Sequence, residues 1–317
     1  MDMRAIYYFV NAYEERSFTA AAEKVHVVQS ALSAQIRNLE DEFGTPLFER
    51  GARGVDPTPA GQRLYELSLP LLRDLASAKQ EIVDLVQGKK ITGALRIGLP
   101  SSICRGILGG VLREFRERYP KVDVSVVEAY HRTLTDQVQA GQLDVALAAM
   151  PQEHSGLAFH SSIRDLCVMV SGRPILGESL TPCDLTARDD LKLVVPSDRH
   201  LLGQAISTLI ASGAVKPRSL MRVDGTIATM ESVLASDWAC LCPMTAVVNE
   251  LDSKEFFIYP VVKPDLRFDL YLVRDQRRPL TPAARAFAEI LERRLGEVRA
   301  RWDAAVGEHE KSLQEAS

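Results

Sequence analysis

Two neighbouring stretches, Ser17-Phe18-Thr19-Ala20-Ala21-Ala22 and Gln29-Ser30-Ala31-Leu32-Ser33-Ala34-Gln35-Ile36-Arg37, decide how the chain is read. At 3.6 residues per turn, positions 29, 30, 33 and 37 fall on one helical stripe, while Leu32, Ile36 and Leu39 fall on the other side. The stripe is polar throughout: an amide, two hydroxyls and a guanidinium. Upstream, Ile6, Phe9, Val10 and Tyr13 recur at helical spacing, and Ala20, Ala21, Ala22 and Val25 form a second short apolar stripe. A turn separates them, and Ser17 is suited to cap the second helix because its hydroxyl can accept from a free first-turn N–H. The third helix runs from about Gln29 to Phe43-Gly44, where glycine can take the left-handed conformation that ends a helix. Three short helices with tight connections predict a small bundle. In a helix-turn-helix the second helix of the pair puts its N-terminal residues against base edges. Gln pairs with adenine, Ser serves either base type and Arg reaches guanine or phosphate. The competing reading of the stripe is an ordinary solvated helix face.

Beyond the bundle, Leu47-Phe48-Glu49-Arg50 and Val55-Asp56-Pro57-Thr58 flank a turn-rich Gly51-Ala52-Arg53-Gly54, the pattern of two short strands and a wing. A long helix is predicted from Pro59 to about Gln87. Leu64, Ser68, Leu71, Leu75, Ala78, Ile82 and Leu85 alternate spacings of four and three, the seam of a two-stranded coiled coil. Such a seam asks for a partner helix, the alternative being packing on its own chain. Pro70 inside it predicts a kink. Gly88-Lys89-Lys90 reads as a linker.

These blocks, together with Leu39-Glu40-Asp41-Glu42-Phe43-Gly44-Thr45-Pro46-Leu47-Phe48-Glu49-Arg50 and Thr58-Pro59-Ala60-Gly61, resemble the LysR-type transcriptional regulators. The likeness is specific over roughly residues 3 to 65 and looser over nearly the whole chain. It implies an N-terminal winged helix-turn-helix, mostly α (1–58), and a linker and dimerisation helix (59–88). After a hinge (89–92) comes a two-lobed α/β effector domain like type 2 periplasmic binding proteins (93–317). Lobe I is expected over about 93–155 and 263–305, and lobe II over about 156–262. The residues expected at DNA are Ser17, Thr19, Gln29, Ser30, Ser33, Ala34, Arg37, Arg50 and Arg53, with Arg53 against a phosphate or in the minor groove. The implied target is double-stranded DNA carrying an interrupted inverted repeat, its half-sites about one helical turn apart. The implied assembly is a homodimer through the linker helix and a homotetramer. Four positions depart from the family pattern. Val28 stands where a capping Ser or Thr is usual, Pro57 where a Leu is usual, and Ser236 and Trp238 where glycines are usual. The last two raise the expectation of altered backbone geometry at the cleft edge.

After the linker, strands alternate with helices. A strand at Gly93–Leu99, a helix at Ile103–Tyr119, a strand at Val122–Ala129, a helix at Thr133–Ala140 and a strand at Leu143–Ala149 make βαβαβ, a mostly parallel sheet covered on both faces. A second series runs from Gly156 to Val262. The chain closes with a strand at Arg267–Arg274, a helix from Pro282 to about Trp302, and a polar tail expected to fray after Ala305. In such a unit ligands meet the strands' carboxyl ends and the following helices' N-termini. The first junction, Pro100-Ser101-Ser102-Ile103, is the leading effector candidate, although Ser101 or Ser102 can equally be a cap. Ser197 and Thr226 occupy the comparable junctions opposite. A small anionic metabolite is the expected ligand. Its binding is expected to alter lobe closure and so the spacing of the DNA-binding dimers.

Composition narrows the alternatives. The 317 residues are 46 % hydrophobic and 25 % charged, with net charge −4. Disorder and small disulfide scaffolds are thereby excluded. No apolar run approaches the roughly 18 residues of a membrane span, and no secretory leader is legible, so a cytoplasmic, non-membrane protein is expected. Residues 1–60 carry six bases and nine acids, so DNA contact must rest on local geometry. Five scattered cysteines lack metal spacing. The closest pair, Cys240-Leu241-Cys242, raises a thiol-based redox regulator as a rival, but apolar neighbours favour inert thiols. An enzyme or a plain binding module is the rival from another class. The six histidines form no metal constellation, and no nucleophile elbow, Walker loop or dinucleotide fingerprint occurs. No catalytic residue, metal ligand or cofactor other than the effector is therefore assigned. Asp144 lies at a strand's start, away from the cleft, and the glycines from Gly106 to Gly110 read as helix packing.

Overall fold

The computed structural model describes residues 2–51, 54–87, 91–151, 156–234 and 236–316. The chain divides into two compact units, residues 1–90 with 140–142 and residues 91–139 with 143–317.

In the first unit, α1 (Met3–Glu15), α2 (Phe18–Lys24) and α3 (Gln29–Phe43) form the three-helix bundle. Asp2 caps α1 by accepting from Ala5 N (2.7 Å), and Ser17 caps α2 through Ala20 N (3.3 Å). Val28 offers α3 no side-chain cap, and Gly44 closes it with φ 66°. Phe9, Leu32, Ile36, Leu39 and Leu47 fill the core. The wing is a hairpin of β1 (Phe48–Gly51) and β2 (Gly54–Pro57), with Phe48 opposite Pro57.

Two motif residues explain the wing's position. Glu40 reaches from α3 to accept from Leu47 N (2.8 Å) and Phe48 N (3.2 Å). Thr58 donates its hydroxyl to Pro46 O (2.8 Å) and accepts from Gly61 N (3.0 Å), capping α4 (Pro59–Gln87). Gly61 is required there because a Cβ would sit 2.1 Å from Leu47 O. The helix α4 is assigned continuously through Pro70. Its seam begins later than the spacing suggests. Leu64 packs on the bundle core and Ser68 is buried, whereas Leu67, Leu71, Leu75 and Ile82 are each at least half exposed. The side chain of Leu85 lies outside the described residues.

The second unit opens with β3 (Gly93–Leu99), followed by α5 (Ser101–Ile103), which passes through a π-helical turn (Cys104–Leu108) into α6 (Gly109–Arg118). β4 (Val122–Glu128), α7 (His131–Gln139) and β5 (Val145–Ala148) complete the βαβαβ order. Then come β6 (Leu157–Ser171), the short β7 (Cys183–Asp184), β8 (Lys192–Val195), α8 (Leu201–Ala211), β9 (Ser219–Arg222), α9 (Thr226–Leu234) and β10 (Ala239–Pro243). β11 (Phe257–Lys263), β12 (Arg267–Asp275) and α10 (Pro282–Ala316) end the chain.

Strand order shows how two lobes arise from one chain. β4, β3 and β5 are parallel, and β12 joins β5 antiparallel. β6 is the shared element. Its residues 157–166 pair with β12, while Cys167–Ser171 pair with β10 on one side and, from Val168 onward, with β11 on the other. The crossing into lobe II therefore falls at Leu166–Cys167, ten residues later than the sequence suggests, because one long strand serves both sheets. Beyond β10 the second sheet continues through parallel β8 and β9. α10 also spans both lobes. Phe287, Leu291 and Leu295 lie in the lobe I core, and Trp302 lies with Val168 and Ile258 in lobe II. Where a frayed tail was expected, the helix continues to Ala316, with Val306 packed on that second cluster.

Candidate functional sites

On α3 the expected stripe divides by depth. Gln29, Ser30 and Arg37 are exposed, Ala34 is half-buried, and Ser33 is only 7 % exposed. Gln29 Nε2 donates to the Ser33 hydroxyl (2.9 Å), so the buried serine steadies the amide at the helix start. Thr19 is exposed and Ser17 is committed to its cap. Arg53 lies outside the described residues, as does the side chain of Arg50.

In the second unit, a cavity of about 450 Å³ lies where the carboxyl ends of β3, β4 and β8 face one another across the lobes. Ser101, Ser102 and Thr226 line it, and the Thr226 hydroxyl donates to the Ser101 hydroxyl (2.8 Å), joining one lobe to the other. Ile103 and Ser197 do not line it. Ile103 is fully buried in the lobe I core. Ser197 is held by Asp224, which accepts from its backbone N (2.8 Å) and its hydroxyl (2.9 Å). Ser236 and Trp238 stand away from the lining as well. Trp238 packs on the lobe II cluster of Val168, Val170 and Met230, its backbone N–H donating to Ser236 Oγ (3.2 Å), and neither has a positive φ.

Sequence reasoning missed the cavity's ionisable groups. Asp165 is 1 % exposed at the point where β6 crosses between lobes. Its Oδ1 accepts from Leu166 N (3.0 Å) and Thr245 N (3.3 Å), and its Oδ2 accepts from the Thr245 hydroxyl. Burial pushes this carboxyl up to about 6, against the pull of those hydrogen bonds. His131 begins α7, and His200 stands at the N-cap position of α8 in the opposite lobe without a side-chain capping bond. Burial, with a contribution from His200, holds His131 down to about 4, and burial lowers His200 too. Tyr130 meets the His200 ring edge-on, centroids 4.5 Å apart. The only available signal for Asp165 was an acid directly before the apolar run Leu166–Val170.

A hinge latch lies behind the cavity. Arg105, in the π-helical turn, donates to Ala246 O and pairs with Glu250 (2.7 Å), while Asn249 donates to Gly106 O (2.7 Å). Gly106 fits only as glycine, since a Cβ would lie 1.9 Å from Thr245 O. Asp144 is structural, accepting from Arg96 N (2.7 Å). All five cysteines are free thiols. Burial pushes Cys104 up to about 12 and Cys183 up to about 11, and raises Cys167. Cys242 is raised by its hydrogen bond with Cys240 and then by burial. Among the described residues, no cluster of three metal-ligating side chains exists and no helix is long and apolar enough to cross a membrane.

A winged helix-turn-helix on a long helix, followed by a two-lobed unit with a ligand-sized cavity, defines a DNA-binding regulator carrying an effector-binding domain. Residues 3–62 match the model of the bacterial regulatory helix-turn-helix protein, lysR family, and residues 88–296 match the LysR substrate binding domain. The chain belongs to the LysR family of transcriptional regulators. It is 29 % identical over 293 residues to the nitrogen assimilation regulatory protein nac of Klebsiella aerogenes, covering 92 % of this chain and 94 % of that one. It is 29 % identical to the hydrogen peroxide-inducible genes activator of Escherichia coli O157:H7 over the full length of both. The fold is that of full-length CbnR complexed with its target DNA: TM-score 0.62, 18 % identity, covering 93 % of this chain and 100 % of that one.

Proposed function

We propose that two copies of the chain pair through α4 and set their α3 helices into successive major grooves of an interrupted inverted repeat, with a small molecule in the interlobe cavity shifting the assembly between two states. Pairs of dimers would form a tetramer. The observation that carries the ligand control is the Ser101–Thr226 hydroxyl bond. It ties the lobes together inside the cavity, so a ligand contacting either hydroxyl has different affinity for closed and open lobes, which is what coupling requires. The exposed apolar row of α4 supports the pairing. Gln29, Ser30 and Arg37 would read DNA, a role their exposure on α3 supports, and Ser33 would act through Gln29.

The peroxide-responsive relative suggests a second reading through thiols. Burial or pairing raises the thiols of Cys104, Cys167, Cys183 and Cys242, and the thiolate is the reactive form, so the small-molecule reading is preferred.

The test is fluorescence anisotropy on the duplex upstream of the chain's own gene, against a scrambled duplex at equal salt. Gln29→Ala and Arg37→Ala are each expected to weaken specific binding by roughly 10- to 100-fold. Leu71→Glu with Leu75→Glu is expected to give monomers by light scattering and to abolish specific binding. Unchanged affinity in all three variants would reject the reading.

A further inference from the structure

The cavity's lining bears on its ligand's charge. The junction pattern in the sequence suggests an anion, since helix N-termini favour one. The side chains that surround the space point the other way. Among the described residues no Lys or Arg lines it, and its basic groups are His131 and His200. Both imidazoles are held below their ordinary range, His131 at about 4, so neither offers a positive charge near neutral pH. Two carboxyls do line it: Glu128 at the exposed rim and Asp165 at the buried hinge strand.

Asp165 has acceptor capacity to spare. A carboxylate offers about four acceptor sites, and three are used by Leu166 N, Thr245 N and the Thr245 hydroxyl. A buried carboxylate with a free lone pair at the wall of a cavity calls for a donor from its contents, and a cation compensates its desolvation best. A wholly anionic ligand would instead meet two carboxyls, with no Lys or Arg among the described residues that line the space.

Resting on the reading of this cavity as the effector site, we propose that it takes a small molecule bearing a protonated amine, an organic amine or an amino acid. The ammonium group sits toward Asp165 and Glu128, and the hydroxyls of Ser101, Thr133 and Thr226 meet the ligand's remaining polar groups. A carboxylate on an amino acid finds those hydroxyls and the first turns of α8 and α9, so the helix N-termini and the acidic wall are both used by one zwitterion.

The experiment is calorimetry and thermal shift on the full-length protein with three panels: amino acids and aliphatic amines, carboxylic acids lacking an amine, and neutral polyols. At least one amine is expected to bind, with Kd weakened 10-fold or more by Glu128→Gln and further by Asp165→Asn. Glu128 is exposed, so its variant reports even where Asp165→Asn fails to fold. Thr133→Trp, at the exposed rim, is expected to block any cavity ligand. Organic acids binding in a Thr133→Trp-sensitive way while amines do not would overturn the ligand class and leave the effector site standing. Amine binding unaffected by Thr133→Trp and Glu128→Gln would place the ligand elsewhere and overturn both. Absence of binding from the whole amine panel would also overturn the proposal.

Discussion

The exposed polar face of α3 and the interlobe cavity use similar polar groups but are assembled in opposite ways. The first is one short segment whose exposed residues, Gln29, Ser30 and Arg37, are ordered by helical period alone. The second gathers residues from Pro100 to Leu270, and Asp165, His131 and His200 owe their state to burial produced by distant elements. A locally built site exposes its chemistry in the order of its sequence. A site built by long-range contact takes its chemistry from what surrounds each group, and that is where substitution is expected to act most strongly.

The largest expected effect tests the long-range side of this contrast. Gly106 and Gly110 lie four residues apart in one glycine-rich stretch, yet a Cβ on Gly106 would meet Thr245 O at 1.9 Å while a Cβ on Gly110 would meet nothing within 4 Å. Gly106→Ala is expected to destabilise the effector unit by about 3 kcal/mol, because a main-chain oxygen cannot swing away as a side chain can. Gly110→Ala in helical α6 is expected to stabilise by up to about 1 kcal/mol. Denaturant melts of both variants check this. Equal effects would show that the latch between the π-helical turn and Thr245 is not closed in solution.

Ionisation gives the next largest effect and belongs wholly to the cavity. Asp165 titrates near 6 in the folded chain against an ordinary 3.8, so between those values the folded state holds a proton the unfolded state has released. Its contribution to stability therefore falls as pH rises through that window, with the full penalty above about pH 6. His131 titrates near 4 against 6.5, so over its window the unfolded state binds the extra proton and stability falls as pH drops. Each shift corresponds to about 3 kcal/mol. The two slopes oppose one another in the wild type. Melting temperature followed from pH 4.5 to 7 is expected to rise with pH in Asp165→Asn and to fall with pH in His131→Gln. Parallel curves for both variants and wild type would show that neither group is buried as described.

How much was legible follows from the same contrast. The helix at 29–43, the wing, the long α4 and the strand at 93–99 are encoded by periodicity and by punctuating residues such as Ser17, Gly44 and Pro59, so their outlines were readable in advance. Ser101, Ser102 and Thr226 were also readable, because strand-to-helix junctions are local features that the parallel fold brings together. Ile103 sits in the first of these junctions and Ser197 in a comparable one between β8 and α8. Which side chain turns into the cavity depends on core packing and on Asp224, and neither is visible in the motif. Asp165 was hidden for a different reason. Its meaning comes from one strand shared between two sheets, and no local pattern announces the residue at which a strand changes sheets.

The smallest expected effect returns to the local site and asks whether a missing cap there is a cost or a contact. Val28 holds extended backbone, φ −75° and ψ 141°, at the N-cap of α3 and is 68 % exposed, so a serine would fit the position and supply the absent acceptor. Val28→Ser is expected to stabilise the reading domain by about 1 kcal/mol, mirroring a similar loss in Ser17→Ala, where the cap is present. Thermal melts measure both. Specific DNA affinity of Val28→Ser then separates two roles for the valine. Unchanged binding means the position merely lacks a cap, whereas a loss of roughly 10-fold on a more stable domain means the exposed methyls touch the duplex, as apolar side chains do at thymine. In the second case stability is given up at the N-cap of α3 for contact area on the target, and the contact face extends one position upstream of Gln29.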